Sequence, residues 1–536
     1  MMHLPLTITS IMRHADRVNG AREVVSVTAE NPRHRCTLAD VFRRARQLAN
    51  ALTKAGVRPG DRIATLAWND HRHLELYYAV SCMGAVLHTL NPRLFPEQIA
   101  YIANHAGDRM LFADLTLMPL VEKLRPAFKT IERVIVLGNE SYEPFIAGEP
   151  DRFDWPDLDE RTASALCYTS GTTGNPKGVL YDHRSTVLHS YGSALSDTMG
   201  FGRRDSLLAV VPMFHANAWG LPYSVPMVGA RFVFPGPKMG DGATLAALIN
   251  EERVTLAAGV PTVWQLLLNY TREHGVALDS LEQVLVGGSA CPISIMNEFR
   301  DRHGVWSIHA WGMTEMSPLG TTNSKPPGYE KLAADEKDTF RVRQGRPVYG
   351  VEMKIVDDAG RELPWDGKSA GMLKVRGPWV CSDYYELGEK STAHDEDGWF
   401  ATGDVANIRP DGTLQITDRA KDVIKSGGEW ISSIDLECAA AGHPKVLQAA
   451  VIGVPHPKWD ERPLLVVVPR PGEQPTREEL LAWLAGRVAK WWIPDDVAFV
   501  DKIPLTATGK ISKVELRRQF EDFRFSSTGP GSASLP

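Results

Sequence analysis

The chain of 536 residues reads as α/β: a large N-terminal domain of layered α/β subdomains plus a β-rich subdomain, then a small, mobile α+β C-terminal domain. Three observations predict this. The length exceeds what one hydrophobic core serves, so at least two domains are expected. Up to residue 345, short apolar runs alternate with helical stretches, the texture of largely parallel sheets covered by helices. Beyond it, strands and turns succeed one another without intervening helices, and an α+β piece closes the chain. The expected boundaries are 1–418 for the first domain (β-rich part 345–418), 419–524 for the second, and a tail at 525–536.

The elements follow in order. Residues 37–56 form an amphipathic helix, because Leu38, Val41, Phe42, Ala45, Leu48 and Leu52 recur at helical spacing among arginines. Val57-Arg58-Pro59-Gly60-Asp61 is a turn, 62–68 a strand and 75–83 a helix. The apolar run 163–167 is a strand, followed by a loop and then a helix at 184–197. Runs at 206–211, 255–258, 283–286 and 305–309 are strands, each followed by a helical stretch. Strands are expected at 351–356, at 371–375 and on both sides of Arg409-Pro410-Asp411-Gly412, with a helix at 477–491. The Ser/Gly/Pro-rich tail from Phe525 is expected to be disordered.

Composition excludes several classes. A formal net charge of −6 argues against a nucleic-acid partner held by phosphate neutralisation. Six cysteines stand singly, with no CxxC pair, so zinc and thioredoxin-like chemistry have no signal. Reduced thiols in a cytoplasmic protein are the plain reading. The N-terminus lacks a basic segment followed by an apolar core, and no run reaches the length of about 18 apolar residues that a membrane span needs.

The richest stretch is Tyr168-Thr169-Ser170-Gly171-Thr172-Thr173-Gly174-Asn175-Pro176-Lys177-Gly178. Glycines let backbone N–H groups approach an anion, hydroxyls add donors, and Lys177 adds a point charge. It lacks the Gly-Lys-Ser/Thr ending of a Walker A loop, so it is a different phosphate grip. Trp311-Gly312-Met313-Thr314-Glu315 offers a flat indole for a nucleobase and a hard oxygen for Mg²⁺ on phosphates. Thr402-Gly403-Asp404 offers a carboxylate to ribose hydroxyls, with Arg419 fifteen residues on. Then come the charged, glycine-bearing stretch from Asp418 to Trp430 and Ile503-Pro504-Leu505-Thr506-Ala507-Thr508-Gly509-Lys510-Ile511.

In this order and type, the motifs resemble those of the adenylate-forming superfamily, which includes acyl-CoA synthetases, peptide-synthetase adenylation domains and luciferases. The likeness spans 37–520 and is strongest to the fatty acyl-CoA synthetases, through Leu90-Asn91-Pro92-Arg93-Leu94, Val211-Pro212-Met213-Phe214-His215 and Gly427-Gly428-Glu429-Trp430-Ile431-Ser432. Ala310 departs from a usual glycine, and Trp311 stands where many members have tyrosine. The resemblance implies that Thr169, Ser170, Gly171, Thr172, Thr173, Lys177, Gly288, Ser289, Ala290, Trp311, Gly312, Met313, Asp404 and Arg419 hold ATP or AMP. It implies Mg²⁺ on Glu315 and Thr169, catalytic roles for Thr314, Glu315, Lys425 and Lys510, and a hinge at Lys421. His215, Ala216, Trp219, Gly427, Gly428, Glu429 and Trp430 would meet the acyl group or CoA.

A two-step ligase follows. A carboxylate attacking phosphate must overcome like-charge repulsion, which the Lys510 ammonium relieves. Acyl-AMP and pyrophosphate form, the C-terminal domain turns about Lys421, and the CoA thiol attacks. Amino-acid-activating relatives carry an aspartate where this chain has His215. Burying an ammonium without a carboxylate is costly, so an amino acid is disfavoured. Trp219 is implied as the gate over an acyl tunnel, lined by Gly220, Leu221, Pro222, Val225, Met227, Val228, Val260 and Met316. A medium- or long-chain fatty acid is expected, with a short thioether acid such as 3-methylthiopropionate as the alternative. Each buried methylene contributes only about 0.8 kcal/mol, so length does not follow from lining. A non-CoA acyl-adenylating enzyme, as a carrier-protein loader or luciferase-like oxygenase, and a non-catalytic sensor are the readings from other classes. The resemblance allows a homodimer; no patch in the sequence demonstrates one.

Overall fold

The computed structural model describes residues 1–169, 175–388, 391–427, 429–506 and 510–525, with Glu429 as backbone only. The chain divides into two compact units. The first comprises Met1–Ser289, Ile295–Met353 and Val375–Phe400, and the second Ala290–Ser294, Lys354–Lys374 and the chain from Ala401 onward. No helix among the described residues is long and apolar enough to cross a membrane.

Two sheets organise the first unit. One runs Arg133–Leu137, Met110–Asp114, Arg62–Leu66, Val86–Thr89, Ala163–Tyr168, Gly178–Asp182, parallel except at its last pair. The other places Gln283–Val286, Leu256–Gly259, Ser206–Ala209 and Arg231–Phe234 side by side and parallel, with Trp306–Gly312 beyond Gln283–Val286. Antiparallel strands Leu319–Thr322 and Arg346–Pro347 close that edge. Strands buried on both faces read as continuous apolar runs, which is why these were visible.

The predicted amphipathic helix is Leu38–Lys54. Thr37 caps it by accepting from the Asp40 N–H, while Asp40 accepts from the Thr37 N–H, a reciprocal box that satisfies two end donors. Its buried face is Leu38, Val41, Phe42, Ala45, Leu48 and Leu52, the six residues that carried the prediction.

Three expectations need correction. The loop after Ala163–Tyr168 does not lead directly into a helix: Gly178–Asp182 returns antiparallel to it before helix His183–Ala194 begins. Val179 and Tyr181 are buried while Leu180 is exposed, the alternation of a half-covered strand. Trp306–Gly312 is followed by a single 3-10 turn, Thr314–Met316, and then the strand Leu319–Thr322, with no longer helix between them. The helix expected at 477–491 ends at Leu484, because Gly486 takes φ +80 and turns the chain.

The second unit holds most of a four-stranded sheet, ordered Glu352–Val356, Gly371–Arg376, Phe400–Ile408, Leu414–Arg419. It also holds a five-stranded sheet built on the long hairpin Val446–His456 and Asp460–Pro469, with Ile424–Ser426, Glu429–Ile431 and Asp496–Phe499. Both faces of that hairpin are covered. Val451, Leu465 and Val467 pack with Leu436, Leu480 and Leu484, while Ala450, Ile452, Leu464 and Val466 pack with Ile503 and Leu516. Of the tail, Phe525 packs its ring on Phe523, with centroids 5.5 Å apart; the residues beyond it lie outside those described.

Candidate active site

The base of the glycine-hydroxyl loop is a closed ring. The Thr169 N–H donates to the Lys177 carbonyl at 2.9 Å, and the Lys177 N–H donates to Thr169 Oγ1 at 3.4 Å. Ser170, Gly171, Thr172 and Thr173 lie outside the described residues. The Lys177 ammonium sits 4.9 Å from the centroid of the Tyr384 ring. Tyr384 Oη in turn donates to Glu315 Oε1 at 2.8 Å. Burial, with the Glu315 carboxylate beside it, pushes the Tyr384 phenol well above its ordinary range, so it stays a neutral donor.

Two further bonds fix the Glu315 segment. The Cys381 N–H donates to the Glu315 carbonyl at 2.8 Å, and Tyr181 Oη donates to the Thr314 carbonyl at 2.6 Å. Thr169, Lys177, Thr314 and Glu315 are therefore brought together by one connected set of contacts in the first unit. Glu315 is 7% exposed, with Oε1 engaged by Tyr384. Among the described residues no cluster of three His, Cys, Asp or Glu groups could hold a metal. A hard cation at Glu315 would take the rest of its shell from phosphate oxygens and water, which is how Mg²⁺ on a nucleotide binds.

Sequence reasoning missed Tyr384 and Tyr385. They come from a loop about seventy positions after Glu315 and carry no local pattern. Yet Tyr385 donates its N–H to Gly178 at 2.8 Å while Tyr384 joins the lysine to the carboxylate.

Trp311 ends buried, 8% exposed, on strand Trp306–Gly312. Its indole lies over Gly320, where a Cβ would come within 2.5 Å of Cζ3. The Met313 N–H donates to Pro318 O at 3.0 Å, tying the Gly312–Met313 bend to the returning strand. Gly288 and Ser289 follow the end of strand Gln283–Val286 in the first unit, and Ala290 belongs to the second.

The segment expected to meet the acyl group has an unusual backbone. Ala216, Asn217, Ala218 and Trp219 all take positive φ (43°, 51°, 47° and 58°), followed by Gly220 at 79°. Each left-handed non-glycine residue costs roughly 1–2 kcal/mol, so such a turn persists only where its surroundings over-determine it. Here they do. The Asn217 side-chain amide lies 3.0 Å from Tyr77 Oη and 3.4 Å from Cys167 Sγ, and Tyr77 Oη lies 2.5 Å from Met213 O. At the other end, a Cβ on Gly220 would meet the His189 ring at 2.6 Å. His189 Nε2 accepts from the Leu319 N–H at 3.2 Å, and burial holds its pKa down to about 3. His215 begins the turn, its carbonyl accepting from Ala218 at 3.1 Å. Trp219 is 9% exposed, and its ring lies under Gly287, 3.1 Å from where a Cβ would stand.

The second unit carries the other predicted residues. Asp404 is 2% exposed and accepts from Arg419 Nε at 2.8 Å, across the pair Phe400–Ile408 and Leu414–Arg419. Lys425 faces Trp430 across the hairpin Ile424–Ser426 and Glu429–Ile431, and its N–H donates to Glu461 at 3.0 Å. The Gly427 N–H donates to the Trp459 carbonyl at 2.9 Å. Gly428 and the Glu429 side chain lie outside the description. Lys510 stands on a loop closed by the Lys510 N–H to Thr506 Oγ1 at 3.2 Å and by a Leu505–Ile511 bridge. Lys421 is exposed within this unit.

A cavity of about 560 Å³ lies elsewhere in the first unit, among His34, Arg44, His71, Arg72 and Glu143. None of the predicted site residues lines it. Its arginines are already engaged, Arg44 with Glu75 at 2.7 Å and Arg72 with Glu143 at 2.9 Å.

Comparison with known proteins agrees with this geometry. A family model described as AMP-binding enzyme matches residues 12–385, and one described as AMP-binding enzyme C-terminal domain matches residues 435–510. A 3-methylmercaptopropionyl-CoA ligase of Ruegeria pomeroyi is 55% identical, over 97% of this chain and 98% of its own. A medium-chain-fatty-acid–CoA ligase of Ectopseudomonas oleovorans is 51% identical, over 98% of each chain. Among solved structures, an anthranilate CoA ligase in complex with anthranoyl-AMP superposes with a TM-score of 0.87 at 26% identity, over 97% of this chain and 98% of that one.

Proposed function

The chain belongs to the AMP-binding enzyme family, and we propose that it makes the CoA thioester of a short thioether acid such as 3-methylthiopropionate. The observation that carries this choice is the 55% identity, over nearly the whole chain, to a 3-methylmercaptopropionyl-CoA ligase. In this reading the Trp219 ring, packed against Gly287, would bound the acyl space. His215, where amino-acid-activating relatives carry an aspartate, offers no carboxylate for an ammonium, which disfavours amino acids.

In this reading MgATP is held by the 169–177 loop, Glu315 and Asp404. The carboxylate attacks the α-phosphate in line, forming the acyl–phosphate bond as the bond to pyrophosphate breaks. Lys510 neutralises the charge that develops. The segment beyond Lys421 then turns, Lys510 withdraws, and the Lys425–Trp430 hairpin serves the second step. The thiol sulfur attacks the acyl carbonyl, its proton passing to solvent, and the acyl–phosphate bond breaks as AMP leaves. Mg²⁺ supplies charge neutralisation on the phosphates, beside Glu315 and Thr169. We place the reaction in the cytoplasm, in keeping with six free cysteines, and family resemblance favours a homodimer.

A medium-chain fatty acid is the second reading, favoured by the relative that is 51% identical over nearly the whole chain. The test is acid-dependent pyrophosphate and AMP release with MgATP and CoA, from propionate and 3-methylthiopropionate to palmitate. The expected maximum lies at 3-methylthiopropionate, with kcat/KM for octanoate roughly tenfold lower or more. Trp219→Ala should shift that maximum to longer acids. A wild-type maximum at octanoate or beyond selects the fatty-acid reading.

A further inference from the structure

Lys421 divides a group of bonds that the two-step reaction does not account for. On its N-terminal side stand Thr417 and Asp418, at the end of strand Leu414–Arg419. On its C-terminal side stand Ser432 and Ser433, at the start of helix Ser433–Ala441. Ser432 Oγ donates to the Thr417 carbonyl at 2.6 Å. The Ser433 N–H and Oγ both donate to Asp418 Oδ2, at 2.7 and 2.6 Å. Asp418, Ser432 and Ser433 are buried, Asp418 to 1% exposure, and Thr417 is half-buried.

The group extends to the element that follows the Lys510 loop. Lys513 Nζ bonds to Ser433 Oγ and pairs with Glu437 Oε1 at 2.9 Å, and Glu437 also accepts from the Val451 N–H at 2.8 Å. Lys513 is thus a largely enclosed cation shared by two carboxylates, the half-buried Glu437 directly and the buried Asp418 through Ser433. Burial raises both carboxylates and the lysine opposes the rise, so each bond here matters to the charge it satisfies. The pair Arg517–Asp422, at 2.7 Å, lies wholly beyond Lys421 and differs in this respect.

A rotation about Lys421 leaves the Arg517–Asp422 pair intact, whereas the Thr417–Ser432 and Asp418–Ser433 bonds cannot survive it. They hold only one orientation of the chain beyond the hinge. We propose that Asp418 is a positioning residue for the two-step reaction: its bonds to Ser433 latch the segment bearing Lys510 in one orientation and thereby set the balance between adenylation and thioester formation. The proposal rests on the reading of Lys421 as the pivot.

The test measures the two half-reactions separately in the full-length enzyme. Adenylation is read as acid-dependent exchange of labelled pyrophosphate into ATP, and the second step as thioester formed from supplied acyl-AMP and CoA. Both are run with 3-methylthiopropionate and octanoate in parallel. In Asp418→Asn the ratio of the two rates should change by roughly tenfold or more, as expected for losing bonds to a charged group. One half-reaction should rise while the other falls, and Ser433→Ala should move the ratio in the same direction. Equal loss of both half-reactions, or no change in either variant, overturns the latch. Thermal midpoints check folding, and Ser433→Ala carries the same criterion if Asp418→Asn does not fold. Lys510→Ala in the otherwise wild-type chain tests the pivot itself. Loss of adenylation with the thioester step retained supports the two-orientation reading, and equal loss of both overturns it whatever the Asp418 variants do.

Discussion

Glu315 illustrates how much one residue owes to a distant neighbour. Its carboxylate is nearly buried, and its visible donor is Tyr384 Oη at 2.8 Å. Tyr384→Phe leaves that oxygen unsatisfied, at a cost typical of a hydrogen bond to a charge. The KM for MgATP should rise roughly tenfold, with the protein still folded; an unchanged KM in steady-state kinetics would remove Tyr384 from the site. His189 supports a second single-residue prediction. Its folded pKa of about 3 lies below the unfolded value of 6.5, so the unfolded chain takes the proton first as pH falls. Stability present above pH 6.5 is therefore lost progressively on acidification toward 3. His189→Gln, which keeps an acceptor for Leu319, should flatten the loss by about 1.4 kcal/mol per pH unit between about pH 6 and 4. Equal slopes in urea titrations of both proteins would refute it. Lys177 and Glu315 were legible because each stands in a run of unusual residues; Tyr384 and His189 were not, because a lone aromatic or imidazole acquires its partner only when the chain folds.

At the scale of elements, the left-handed turn of residues 216–220 is the feature furthest from sequence pattern. Ala-Asn-Ala-Trp carries no glycine before Gly220, so nothing in it forecasts four positive φ angles. The turn exists because Tyr77, Cys167 and His189, on three other elements, hold it. Gly220→Ala should destabilise the protein by about 3 kcal/mol, combining the φ penalty with a clash against the His189 ring. Chemical denaturation reads this directly, and a loss below about 1 kcal/mol would mean that the ring moves aside freely. The same logic explains which elements were foreseen. Helix Leu38–Lys54 declares its buried stripe and its cap, whereas Gly178–Asp182 is five residues of ambiguous apolar alternation beside a longer helix.

For the whole molecule, the α/β class and the change of texture near residue 345 were readable because sheet layering imposes periods on long stretches. The compact division of the chain was less readable. Residues from Ala401 onward cluster as one unit, so Lys421 lies within it, and the side-chain bonds around Asp418 within that unit involve no apolar pattern. The anchoring of the acyl turn has a consequence for redesign. Its conformation is stored in side chains contributed by positions 77, 167 and 189, well outside the segment itself. Transplanting 214–220 alone into a relative of different acid preference should therefore yield a poorly active hybrid. Carrying the three supports along should restore activity with the donor's preference. If this turn meets the acyl group as proposed, substrate choice is inherited as a spatial neighbourhood, and a cassette cut along the chain would leave most of it behind.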